Sequence, residues 1–229
     1  MKSGDTLTGT LLPELATLAQ ERRATMHFLD EPVPQKVIEA ALEFAAQAPS
    51  GYNAQPWRFL VLRDKAQREA LKKAAFDQPK IGEAPVMIVA FASPRAWKER
   101  FTAVQSERAR RLGLDPGSVK KQVDSALAFI GTLNPAVWLN RQVMIAFTYL
   151  MLGFEAQGWD TAPMEGLDGP SVKKALSLPE DAEVMALLAV GRSRDANQAH
   201  PGRLSVSEIA FAENLDKPWQ NTEGHRAEP

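Results

Sequence analysis

The stretch Ala48-Pro49-Ser50-Gly51-Tyr52-Asn53-Ala54-Gln55-Pro56-Trp57 marks where a helix must end and a strand can begin. A residue before proline avoids the helical region. The helix predicted upstream starts at Pro34 and carries Val37, Ile38, Ala41, Leu42 and Ala45 on one face; it therefore stops before Pro49. Ser50, Gly51 and Asn53 compose a loop. Trp57–Leu62, bounded by Pro56 and Asp64, reads as a strand.

The same alternation continues on both sides. Leu11, Leu12, Leu15, Leu18 and Ala19 recur at helical spacing, with Pro13 suited to a first turn. Ala66–Phe76 is a short helix. Pro85–Ala92 is continuously apolar, as expected of a strand buried on both faces. Charged Pro94–Gly113 is helical, Asp115-Pro116-Gly117 a turn, and Ser118–Ile130 another helix. Pro135–Gln157 has a centre that is apolar nearly all round, the mark of a central buried helix. A strand at Trp159–Ala162, a helix at Val172–Leu176 and a core strand at Val184–Val190 follow, and beyond Ser193 the chain turns polar and irregular. Strands interleaved with helices predict a mixed central sheet with helical cover, in a single domain over 1–229.

Composition narrows the function. Of 229 residues, 45% are hydrophobic, enough for a real core. Twenty-seven basic against 28 acidic residues argue against a dedicated nucleic-acid binder. The absence of cysteine excludes disulfides, thiolate metal sites and cysteine nucleophiles. His27, His200 and His225 share no ligand spacing, so no metal site is expected. The longest apolar run, Val143–Phe154, has about 12 residues, whereas a bilayer span takes roughly 20. Met1–Gln20 lacks a signal pattern. The expectation is a cytoplasmic protein without membrane contact.

Five segments carry candidate chemistry. Arg22 and Arg23, within Glu21-Arg22-Arg23-Ala24-Thr25-Met26-His27-Phe28, end a helix; guanidinium forks hold phosphate oxygens through paired hydrogen bonds. As an isolated feature the pair reads first as a solvated basic helix end. In the loop, Gly51 permits close backbone approach, and Ser50 and Asn53 offer short polar groups. A helix-to-strand turn alone accounts for Pro56 and Trp57 but poorly for Ser50 and Asn53. Asp77-Gln78-Pro79-Lys80 precedes the buried strand. Ala162-Pro163-Met164-Glu165-Gly166 follows a short one. Arg203 lies in His200-Pro201-Gly202-Arg203-Leu204. No Gly-x-Gly-x-x-Gly follows a strand, and no phosphate-binding loop, Ser-His-Asp set or paired-carboxylate site stands out.

In types and order, these segments resemble the nitroreductase family of FMN enzymes, from about Leu15 to about Ile209. The resemblance implies an α+β, sandwich-like fold and an intertwined homodimer with two FMN sites at its interface. It places Arg22, Arg23, Ala24 and Arg203 on the FMN phosphate and ribityl chain. Ala24 stands where the family has serine, and Met26 where it has a further basic residue. Pro49, Ser50, Gly51 and Asn53 would meet the flavin bound mainly by the other subunit. Gln78 and Lys80 would reach its pyrimidine edge. Pro163, Met164, Glu165 and Gly166 would lie against the ring, with a backbone N–H donating to N5. Trp138 is read as packing first and substrate-channel contact second, and Phe101 and Trp97 as candidates to cover the substrate channel.

The activity implied is FMN-dependent reduction of nitroaromatics, quinones or related electrophiles by NAD(P)H. Both substrates would use one flavin face in turn. No catalytic side chain is required, because the cofactor carries the hydride chemistry. The alternatives are another flavin reaction on the same fold, reductive dehalogenation or oxidative chemistry, and a flavin-binding protein without turnover. Ile209, Phe211, Leu215 and Trp219 are expected to wrap the partner subunit, and Gln220–Pro229 to be disordered by composition.

Overall fold

The computed structural model describes residues 12–195 and 199–220. Leu11, His225 and the 221–229 end of the tail lie outside them. In chain order the elements are α1 (Pro13–Glu21), α2 (Gln35–Ala46), β1 (Arg58–Leu62), α3 (Lys65–Ala74), α4 (Pro79–Glu83), β2 (Val86–Ala92), α5 (Pro94–Leu112), α6 (Pro116–Gly131), α7 (Pro135–Glu155), β3 (Asp160–Met164), α8 (Gly169–Ala175), β4 (Glu183–Gly191) and α9 (Val206–Ile209).

The four strands lie in the order β1-β2-β4-β3, and each neighbouring pair is antiparallel. The parallel component is small: Ala24 bridges Thr161 on the free edge of β3, and the Thr25 N–H donates to the Thr161 carbonyl at 2.9 Å.

The continuous apolar run in β2 has a direct explanation. Side chains alternate faces along a strand. Val86, Ile88, Ala90 and Ala92 enter one core with Ile38, Phe147 and Leu150, whereas Met87 and Val89 enter a second with Leu71, Ile81 and Val172. Helices α2 and α7 cover the first face, and α3, α4 and α8 the second. Gly153 lets α7 approach α2 closely, since an added Cβ there would lie 3.3 Å from the Ala41 Cα.

The structure departs from the sequence expectations at several points. Asp115 is a cap rather than part of a turn. Its carboxylate accepts from the Ser118 N–H at 2.8 Å, and a proline in the first turn lets α6 start at Pro116. The Gln78-Pro79 pair likewise opens α4, which burial of Ile81 anchors. The apolar stripe of α1 faces outward: Ala16 is buried, but Leu12 and Leu15 are 73% and 47% exposed. Helix α7 is also less enclosed than predicted, with Val137 and Ile145 exposed. The tail forms α9 and then a tight reversal, in which the Trp219 N–H donates to the Ala210 carbonyl and Phe211 bridges Pro218.

Candidate functional site

Two arginines emerge where α1 ends. Arg22 leaves the helix with extended geometry (φ −52°, ψ 128°), and the chain turns to run beside β3. Arg23 Nη1 donates to the carbonyls of Gln20 (2.6 Å) and Arg22 (2.9 Å). Arg22 Nη1 and Arg23 Nε are buried and have no hydrogen-bond partner among the described residues. A buried charged donor without a partner is costly, so such groups signal a missing acceptor. The tail returns to this place. Gly202, at φ +87°, donates its N–H to His200 Nδ1 at 2.9 Å. Desolvation, and then the guanidiniums of Arg23 and Arg203, push the His200 imidazole below its usual pKa. Arg203 thus shares an electrostatic neighbourhood with Arg23.

The turn after β3 is held from below. Gln78 Nε2 donates to the Gly166 carbonyl at 2.8 Å and to the Ala75 carbonyl at 3.1 Å. Both amide hydrogens are therefore engaged, and Gln78 is a strut for the turn rather than the free donor that the resemblance implied. Met164 is buried within the second core, leaving its main chain for any ligand. Pro163 is half-buried; Glu165 and Gly166 are exposed. Lys80 is half-buried on α4, where burial lowers its pKa. Glu83, at the end of the same helix, pairs with His27 Nδ1 at 3.2 Å and accepts from the Phe28 N–H at 3.2 Å. Segments 22–28, 78–83 and 163–166 are joined by this network.

The loop after α2 forms a separate group. The Gly51 N–H donates to Gln142 Oε1 of α7 at 2.8 Å, and Ser50 Oγ accepts from the Gln55 N–H at 3.0 Å. Tyr52, Asn53 and Gln55 all take left-handed conformations, at φ 54°, 53° and 46°. Such strain persists only where the surroundings enforce it, and Gln105 Nε2 on the Tyr52 carbonyl helps to do so. Non-glycine residues thus carry the unusual geometry here. A Cβ at Gly51 would stand 3.5 Å from Trp138, in ordinary contact. Pro49 and Asn53 are exposed.

The channel candidates lie in the core. Trp138, Trp97 and Phe101 form one aromatic stack, with ring centroids 5.0 and 5.7 Å apart along it. Phe101 and Trp97 are enclosed between α5, α6 and α7, so they are core rather than lid. Trp138 is also buried, and it backs the Gly51 loop. Among the described residues, no hydrogen bond or ion pair links this loop to the arginine network.

Glu155 escaped the sequence reading. It closes α7, and its Oε1 accepts from the Thr161 N–H and hydroxyl. Burial, reinforced by the Asp160 charge and opposed by Thr161 and Arg22, raises its pKa to about 7. The sole available signal was a lone acid at the end of an apolar helix.

The sequence profile of the nitroreductase family matches residues 19–192. A Thermus thermophilus protein named NADH dehydrogenase is 36% identical over 201 residues, covering 85% of this chain and 94% of its own. Among solved structures, a nitroreductase-like protein from Streptococcus mutans superposes with a TM-score of 0.80 at 26% identity, covering 89% of this chain and 100% of its own. The fold also matches an Exiguobacterium sibiricum protein solved in complex with FMN, with a TM-score of 0.76 at 24% identity and coverage of 86% and 96%.

Proposed function

Since this chain belongs to the nitroreductase family, an oxidoreductase family, we propose that it is an FMN-dependent enzyme using NAD(P)H to reduce nitroaromatics, quinones or related electrophiles. One observation carries the cofactor assignment: two buried guanidinium nitrogens, Arg22 Nη1 and Arg23 Nε, point at no acceptor among the described residues. A phosphate monoester supplies the oxygens they lack. FMN, when bound, supplies the two-electron hydride chemistry.

The residues present fit it. Arg22 and Arg23, with Arg203 nearby, hold the phosphate. The main chain at Glu165 and Gly166, braced by Gln78, presents backbone donors to the ring edge. Lys80 adds positive charge on the same side. The Ser50–Asn53 loop belongs to a second group, and it serves the flavin of a partner subunit in a homodimer. The outward Leu12, Leu15, Phe44, Ile145, Ile209 and Trp219 support an association of that kind. Among the described residues no helix is long and apolar enough to cross a membrane. The reading places the enzyme in the cytoplasm, where nicotinamide reductants are maintained.

Anaerobic mixing of the flavin-loaded protein with NADH or NADPH should bleach the flavin absorbance, and steady-state plots against an acceptor should give parallel lines. A well-folded protein that binds no FMN in titration overturns the proposal. Intersecting lines overturn the shared-face mechanism alone.

A further inference from the structure

A second feature adjoins the Ser50–Asn53 loop. A cleft of about 660 Å³ runs along α5, lined by Asn53, Gln55, Arg100, Val104, Arg108 and Leu112 among others. Its charge is unbalanced. Among the described residues Glu107 is the one acid in its lining, and both Arg110 and Arg111 bind it, each with a nitrogen at 2.7 Å. Those two guanidiniums hold the Glu107 carboxyl down at about 2, so it stays ionised and engaged. Arg100 and Arg108 have no carboxylate partner among the described residues. Arg58 adds a further cation. Its Nη1 reaches the Gln55 carbonyl at 3.3 Å, and burial followed by the neighbouring Arg100 charge lowers its pKa.

Arg58 and Arg100 are neighbouring like charges, and neither has a carboxylate partner among the described residues. Such an arrangement attracts an anion. At 1.5 Å per residue, Arg100 and Arg111 are about 16 Å apart along the helix. The floor between them includes the apolar Ala103, Val104 and Leu112. An elongated ligand with several anionic groups and a flat apolar part fits this shape and charge. One wall, Asn53, belongs to the loop already assigned to the flavin.

We propose that this cleft seats the phosphates of the nicotinamide dinucleotide, with Arg100 and Arg108 as their ligands and Val104 and Leu112 beneath the adenosine. The assignment rests on the oxidoreductase reading above. It makes these two arginines determinants of reductant affinity.

The test measures binding of adenosine 2′,5′-bisphosphate to the full-length protein by calorimetry, which needs neither bound flavin nor turnover. Arg100→Ala and Arg108→Ala should each weaken binding about 10- to 100-fold, as expected for a lost charge-assisted hydrogen bond. Lys98→Ala removes one charge from the same helix without touching the cleft, and it should leave binding nearly unchanged. Wild-type affinity in both arginine variants, or an equal loss in Lys98→Ala, overturns the proposal. The NADPH KM is measured alongside. Turnover with an unaltered KM in both arginine variants rejects the cleft and leaves the enzyme reading intact. Arginine-dependent binding in a protein that oxidises neither NADH nor NADPH upholds the nucleotide seat and rejects that reading.

Discussion

Glu155 Oε1 accepts two hydrogen bonds from Thr161, at 3.0 Å from the backbone nitrogen and 2.6 Å from the hydroxyl. The Thr161 carbonyl in turn accepts from the Thr25 N–H. The end of α7, strand β3 and the segment leaving the arginine pair are therefore clamped at one point. Burial raises the Glu155 pKa from 4.5 to about 7. A carboxyl raised on folding binds its proton more tightly in the folded state. Its contribution to stability is full below about pH 4.5, is lost as pH rises towards 7, and is flat above that. Allowing for partial solvent screening, the loss is on the order of 2 kcal/mol. Glu155→Gln keeps an acceptor for Thr161 and should be the more stable protein at pH 8 by that amount. Urea midpoints of the two proteins running parallel from pH 5 to 8 would contradict this.

Arg22→Glu or Arg203→Glu should weaken FMN far more than riboflavin, which lacks the phosphate. The loss of a charged hydrogen bond, roughly 1.5–3 kcal/mol, corresponds to about 10- to 100-fold in Kd. Titration with both ligands is the measurement. Equal weakening would mean that these arginines support the fold and not the phosphate.

The Gly51 loop allows a separation of packing from ligand contact. Gly51→Ala places a methyl 3.5 Å from Trp138, without a clash. Its melting temperature should stay close to wild type while flavin affinity drops, if the backbone there meets the ring. Gln142→Leu removes the acceptor of the Gly51 N–H. It should cost about 1–3 kcal/mol, because a partly buried donor is left unpaired. Unchanged flavin affinity in folded Gly51→Ala would remove this loop from the site.

Truncation tests the tail. Leu204, Ile209, Leu215 and Trp219 are 65%, 64%, 77% and 50% exposed on the single chain. Covering each fully would contribute about 1.5–3 kcal/mol. A protein ending at Arg203 should dimerise more weakly and release FMN, whereas one ending at Gln220 should behave as wild type. Sedimentation showing an intact, flavin-loaded dimer for the shorter protein would refute the wrapping tail.

Much of the fold was legible locally. Pro49 ended α2, and the β2 run was recognisable because helices cover both faces of a central strand. The Asp115-Pro116 pair misled because an aspartate-proline step opens a helix as readily as a turn. Phe101 was misplaced because an aromatic on a charged helix looks exposed until the helix packing over it is known. The arginine pair was visible by type, but its unpaired buried nitrogens were not. Gln78 was expected to face a ligand and instead braces Gly166, a pairing that depends on where β3 ends relative to α4.

By itself the sequence determined the order and kinds of the strands and of the longer helices, the family and the residue types available to a cofactor. Proline sterics, strand alternation and helical spacing act within a few residues and need no partner. The tertiary structure alone decided which distant groups meet: Gln78 with Gly166, Gln142 with Gly51, Glu155 with Thr161. It also divided the site into two groups and raised the Glu155 pKa, because burial and charge proximity are properties of the packed chain and not of any one segment.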